Sequence, residues 1–209
     1  MIVSHKHKFI FLKSEKTAGT SLEVSLASVC GPEDIVTTVT KDGLPKRYSH
    51  PYRNNDGLNP HALPAKIISE IGIGTWNKYY KILPIRNSWD RAVSYWYWAN
   101  GKYKKNYTFS EHVKTKQMRL LSKWYKLFPF DKKPCVDFLI RFEHLNEDFL
   151  KLCNLLKINP IKLPRAKGNF RTSRKHYAEY YDDETQEIIA RKYKKDIEHF
   201  GYKFEGGSL

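Results

Sequence analysis

The sequence predicts an α/β fold, one domain over residues 1–209 in which a central parallel β-sheet is flanked by helices. Three observations predict it. First, an apolar run with strand character leads within a few residues into a helical pattern three times, at residues 8–13 into 20–29, 79–85 into 89–98, and 136–142 into 146–156. Runs that do not alternate with polar residues suit strands covered on both faces, and strands alternating with helices imply right-handed crossovers and parallel pairing. Second, helix punctuation falls where these patterns start and stop: Gly31-Pro32 closes the first helix, Asn87 or Ser88 caps the second, and Asn159-Pro160 closes the third. Third, 209 residues with 41% hydrophobic and 14% aromatic content supply one good core, without a repeat or low-complexity tract.

The first strand is short. Phe9-Ile10-Phe11-Leu12, flanked by His and Lys, is too brief for the apolar region of a signal peptide or a membrane anchor, so a soluble cytoplasmic protein is expected. It leads into the loop Lys13-Ser14-Glu15-Lys16-Thr17-Ala18-Gly19-Thr20-Ser21. Ala18 and Gly19 let the backbone approach a ligand, Thr20 and Ser21 can cap the helix or donate hydrogen bonds, and the first N–H groups of the helix point into the loop. A phosphate or sulfate fits there; the alternative is an ordinary strand-to-helix turn with two exposed lysines. The loop fails the Walker A pattern, in which a glycine and four residues precede Gly-Lys-Ser/Thr, because here the lysine comes first. The strand before Arg86 also lacks the carboxylate with which a kinase or ATPase holds magnesium. A P-loop-type nucleotide kinase is therefore only an alternative reading.

Residues 37–64, rich in Gly, Pro, Asn, Asp and Ser, read as a long ordered loop of the kind that carries function. At the second junction Arg86 stands at a strand end and Ser94 two helical turns further on. The carboxyl ends of parallel strands face the ligand crevice, so Arg86 can fork onto a phosphate while Ser94 donates from the adjoining helix. Ser94 reads equally well as a small residue packed on the sheet, and Arg91 as the partner of Asp90 or another surface acid. Residues 99–133 carry an aromatic and basic surplus with helical periodicity over 109–127, and read as a helical insertion or acceptor-side cap. The last helix is expected over 183–200, packed on the sheet, with Ile189, Tyr193, Ile197 and Phe200 at helical spacing and Gly201 past its end.

Charge narrows the partners. Thirty-seven Lys and Arg against 22 Asp and Glu give +15, which calls for an anionic partner. A nucleic-acid-binding basic module is the non-enzyme alternative, since Tyr and Trp interleave with Lys, but the charge is spread along the chain and no RRM, KH or zinc pattern is present. The three cysteines, Cys30, Cys135 and Cys153, are widely separated and lack metal spacing, so they read as buried free thiols in a reducing compartment, with no metal site.

Taken together, Phe9-Ile10-Phe11-Leu12 with Lys16-Thr17-Ala18-Gly19-Thr20-Ser21, and Ile85-Arg86-Asn87-Ser88-Trp89-Asp90-Arg91-Ala92-Val93-Ser94, resemble the two cofactor signatures of the PAPS-dependent sulfotransferases, above all the carbohydrate type. Leu139-Ile140-Arg141-Phe142-Glu143-His144-Leu145 with Asp148-Phe149 resembles that family's third strand and helix, and residues 196–204 resemble its C-terminal ending. The stretch 99–133 matches nothing in the family. The resemblance implies a P-loop-like fold and transfer of a sulfonate from PAPS, leaving PAP, to a hydroxyl or amine without a metal. It implies that Lys16 contacts the bridging oxygen and sulfonate, that Thr17, Ala18, Gly19, Thr20 and Ser21 wrap the 5′-phosphate, and that Arg86 and Ser94 bind the 3′-phosphate. Lys13 departs from the commoner family loop, and reads as a second anion contact or a strand-end surface lysine.

Transfer needs a base. Of eight histidines, His61 in Asn59-Pro60-His61-Ala62-Leu63 resembles the family's His-x-x-Ala segment, and a histidine takes a proton near neutral pH. Glu15 is the reserve base, and His50 a weaker one. The basic segment 163–174 lies where the family's late loop closes over the nucleotide, making Lys167, Gly168 and Arg171 expected contacts, although a solvated basic loop fits as well. The acceptor reads as a carbohydrate or small molecule, the surplus lysines suiting an anionic one, on which Trp96, Trp98 and Tyr103 can stack; no membrane partner is expected.

Overall fold

In a computed structural model, residues 1–37, 58–127, 133–159, 162–166, 170–173 and 175–205 are described. Five strands, β1 (Ile2–Ser4), β2 (Phe9–Phe11), β3 (Ile35–Val36), β4 (Tyr80–Ile85) and β5 (Phe138–Arg141), form one sheet in the order β3-β1-β2-β4-β5. The three strands expected from the sequence, β2, β4 and β5, run parallel, with Phe11 opposite Ile82 and Ile85 opposite Arg141. These three are the parallel centre that the sequence predicts, and the sheet as a whole is mixed, because β1 is antiparallel to both β2 and β3. Only residues 5–8 separate β1 from β2, with Lys8 in the left-handed region (φ 54°), and so short a link permits a hairpin but no crossover. β1, no shorter than β2, leads into a four-residue turn and not into a helical pattern, so the grammar that marks the other strands is missing there.

The helices among the described residues are α1 (Gly19–Ala27), α2 (Pro64–Lys78, interrupted at Gly72, φ 77°), α3 (Ser88–Tyr103), α4 (Phe109–Thr115), α5 (Ser122–Tyr125), α6 (Leu145–Leu155), α7 (Asp183–Lys192) and α8 (Lys194–Phe200). The chain divides into two compact units, Met1–Ile85 with Lys123–Lys167, and Arg86–Ser122 with Gly168–Leu209.

The first unit holds the sheet. Phe9 and Phe11, two residues apart, share one face with Ile82 and Ile140, and that face receives Leu22 and Leu26 of α1 and Phe149 and Leu152 of α6. Ile10, Leu83 and Ile85 are equally buried, so both sides of the central strands are covered, as their unbroken apolar runs require. Cys30 and Cys153 are buried free thiols, while Cys135 is half-buried.

The second unit has a core of its own, built where Trp89 and Val93 of α3 meet Phe109 and Val113 of α4 and Ile189 of α7. Asn87 caps α3, its side chain accepting from Trp89 N at 3.0 Å. The periodicity over 109–127 resolves into two short helices, α4 and α5, the first opened by a capping box between Thr108 and Glu111. The single helix expected over 183–200 breaks at Tyr193, and α7 packs against α3 and α4. Buried Tyr193 accepts from Met118 N at 2.7 Å, and Asp196 accepts from Leu121 N and Ser122 N; these contacts override helical spacing. Gly201 then ends α8 in the left-handed conformation (φ 68°). His112 lies in this core with neither ring nitrogen hydrogen-bonded among the described residues, and burial holds its pKa down to about 4, so it is neutral at pH 7.

Candidate functional site

The loop from β2 to α1 is braced from below. Ser14 Oγ donates to the carbonyl of Pro84 on β4 and lies 2.9 Å from Thr17 Oγ1, which in turn donates to the Ser14 carbonyl at 3.2 Å. Both hydroxyls are buried, so the Thr17 side chain serves the loop itself and its backbone N–H is the group left to face a ligand. With the loop pinned, Lys16 and Ala18 adopt left-handed backbone (φ 64° and 61°), a conformation that side-chain-bearing residues adopt only when their surroundings enforce it. Gly19 is required by packing: a Cβ there would lie 2.9 Å from Lys13 Cγ and 3.3 Å from the Ser14 carbonyl oxygen.

Helix α1 then begins without a side-chain cap and without an acidic residue in its first turn. Its leading N–H groups and the positive end of its dipole address the loop. Thr20 is half-buried and makes no side-chain hydrogen bond among the described residues. Ser21 Oγ accepts from Ala166 N at 3.2 Å and keeps its own hydrogen to donate.

Lys13 is not a surface lysine. Its ammonium is buried against the carboxylate of Glu23, which also accepts from the amine of Met1 at 3.0 Å and lies 3.2 Å from Thr37 Oγ1. The charge expected to face an anion is thus committed to an ion pair beneath the loop. The Lys13 carbonyl has a second task, lying 2.8 Å from His61 Nδ1. A carbonyl only accepts, so Nδ1 carries the proton and Nε2 keeps its lone pair. Burial first, and the Lys13 charge second, push the His61 pKa down to about 4, which leaves the ring neutral at pH 7. His61 is therefore held on the Lys13 end of the loop in the tautomer that a base acting through Nε2 requires. Glu15 is half-buried in the same loop; His50 lies outside the described residues.

In the second unit Arg86, buried at the end of β4, makes two bonds of 2.7 Å to Asp90 Oδ2 through Nε and Nη2. Asp90 Oδ1 accepts from Arg171 Nη1 at 2.8 Å, so Arg86 and Arg171, expected separately from the sequence, come together on one carboxylate. Arg91, expected to pair with Asp90 or another surface acid, is fully buried, donates to the Arg119 carbonyl at 2.6 Å and approaches an acid that is itself buried, Asp196, at 4.0 Å. Helical geometry explains the difference, since adjacent residues point about 100° apart around the axis. Ser94, on α3, is half-buried with no side-chain hydrogen bond among the described residues. Lys167 and Gly168 lie outside the described residues.

Sequence reasoning missed Glu23, Ser14 and Asp90. Glu23 sits in a helix buried almost all round, and a charge there signals a buried partner without saying which. No group of three His, Cys, Asp or Glu is placed to hold a metal among the described residues, and no helix of theirs is long and apolar enough to cross a membrane. No curated protein and no solved structure matches the chain. The Sulfotransferase family model matches residues 1–203, taking in both the Lys16 loop and the Arg86 junction, and the chain therefore belongs to the sulfotransferase family.

Proposed function

We propose that this sulfotransferase transfers a sulfonate from PAPS to a hydroxyl or amine of a carbohydrate or small-molecule acceptor, by in-line attack with His61 as general base. The observation that supports it most is the loop: an uncapped, acid-free helix start preceded by Lys16 and Ala18 in left-handed backbone makes a cradle of N–H groups beside one lysine. Bound there, PAPS supplies an electrophilic sulfur and PAP as leaving group. Lys16 and the α1 N–H groups offset the negative charge that develops on the departing phosphate oxygen, which is why the chemistry needs no metal. Backbone of residues 17–19 and the hydroxyls of Thr20 and Ser21 hold the 5′-phosphate. Arg86 and Ser94 take the 3′-phosphate, with Arg171, Lys167 and Gly168 of the late segment. The excess of lysine suits an anionic acceptor, and the protein works in the cytoplasm as a soluble enzyme.

Thermal denaturation tests the donor. Adenosine 3′,5′-bisphosphate raises the melting temperature well beyond what magnesium ATP or a short oligonucleotide achieves at equal concentration, because ligand bound only to the native state stabilises it. A larger shift with the oligonucleotide makes the protein a nucleic-acid binder, and a larger shift with magnesium ATP makes it a kinase.

His61 sets the pH dependence. The ascending limb of kcat/KM reports the base of the free enzyme, and a histidine held at about 4 keeps that limb well below the ordinary 6.5. Activity is accordingly flat from pH 7 to pH 5.5. His61→Ala lowers it by about 10²-fold or more. Full turnover in His61→Ala assigns the base to Glu15, and a limb centred near 6.5 in the parent enzyme contradicts the Nε2 arrangement.

A further inference from the structure

We propose that Asp90 is the positioning residue of the 3′-phosphate site, holding Arg86 and Arg171 as one pair; this rests on the sulfonate-donor reading above. Arg86 and Asp90 stand four residues apart, after the end of β4 and in the first turn of α3, and Arg171 comes from the late segment. Both carboxylate oxygens of Asp90 are taken up by the two arginines: Oδ2 by Arg86 Nε and Nη2 at 2.7 Å each, Oδ1 by Arg171 Nη1 at 2.8 Å. The cluster is shielded, with side-chain exposures of 7% for Arg86, 14% for Asp90 and 26% for Arg171.

Two guanidinium groups brought together in such a setting repel, and each is carried on a flexible stem. One carboxylate between them cancels part of that repulsion and fixes both planes, while the sum of the three charges stays positive and continues to attract an anion. Asp90 engages one of the five N–H donors of Arg171. Arg171 is held further by donating Nη2 to the Lys175 carbonyl at 2.7 Å and by lying 5.9 Å from the Tyr180 ring. Its Nε is buried without a hydrogen-bond partner among the described residues, a donor that an anionic oxygen would satisfy. Asp90 therefore does not touch the nucleotide; it presents the two side chains that do.

Calorimetric titration of Asp90→Asn, which keeps the shape and removes the charge, tests this with two ligands. Adenosine 3′,5′-bisphosphate carries the 3′-phosphate and adenosine 5′-phosphate lacks it. The expected result is a bisphosphate Kd weakened by about tenfold or more, with the Kd for adenosine 5′-phosphate unchanged within about twofold. Asp90→Glu restores most of the loss. Arg171→Gln, at a more exposed side chain, gives the same selective loss, and the double variant is no worse than either single one because both break one unit. It also carries the test should Asp90→Asn fail to fold. An equal weakening of both ligands, or of neither, overturns the role of Asp90. A parent enzyme that binds both ligands equally well overturns the donor reading itself.

Discussion

Lys16→Ala lowers kcat for sulfonate transfer by about 10²–10³-fold, the size of effect seen when one fixed donor to a developing oxyanion is removed. The physical reason is that the leaving phosphate oxygen gains charge mainly at the transition state, so a lysine aimed there lowers the barrier more than it tightens ground-state binding. Lys16 is half-buried on a loop pinned by Ser14 to β4, which gives its backbone a set direction in advance of binding. The change adds no backbone strain, because lysine already bears a Cβ at φ 64° and alanine keeps it. Single-turnover kinetics with labelled donor measure the effect. A variant whose KM rises while kcat holds would make Lys16 a ground-state ligand and remove it from the chemical step.

Glu23→Ala costs stability, by about 3–5 kcal/mol. Glu23 is fully buried, and its removal strands the Lys13 ammonium, which is almost as deeply buried and cannot reach water without moving the loop. A charge left unpaired in such a place is far costlier than the intact pair is favourable, so Lys13→Met/Glu23→Leu recovers the Lys13 share of the loss, while the buried Met1 amine, which also donates to Glu23, still loses that carboxylate. Urea denaturation reads the difference as a shift of midpoint at constant slope. A loss below about 1 kcal/mol would show that the pair is effectively solvated. Because the Lys13 carbonyl orients His61, the same variant also disorders the proposed base.

Each of these residues marks a different limit of reading along a chain. The parallel strands β2, β4 and β5 and the helices that follow them were legible because both faces of those strands are buried, which writes an unbroken apolar run into the sequence. The hairpin β1–β2 was not, since β1 leads through residues 5–8 straight into β2 and no helical pattern follows it. The last helix looked continuous because Ile189, Tyr193 and Ile197 keep helical spacing, whereas the contacts made by Tyr193 and Asp196 break it. The Lys16 loop, Arg86, Arg171 and His61 were candidates for the proposed site by residue type, order and resemblance, all of which are written along the chain.

Family membership and the types of residue in the site are thus properties of the linear order, because strand–loop–helix grammar and the spacing of small, basic and hydroxylated residues are local. Which charges are spent on the protein itself is not. Lys13, which reads as an anion contact or a surface lysine, is buried against Glu23; Asp90, one of the acids offered to Arg91, joins Arg86 to Arg171, 81 residues away from it in the chain. An ion pair forms between groups that packing brings within a few ångströms, and attraction at that range depends on burial and distance, neither of which the order of residues states.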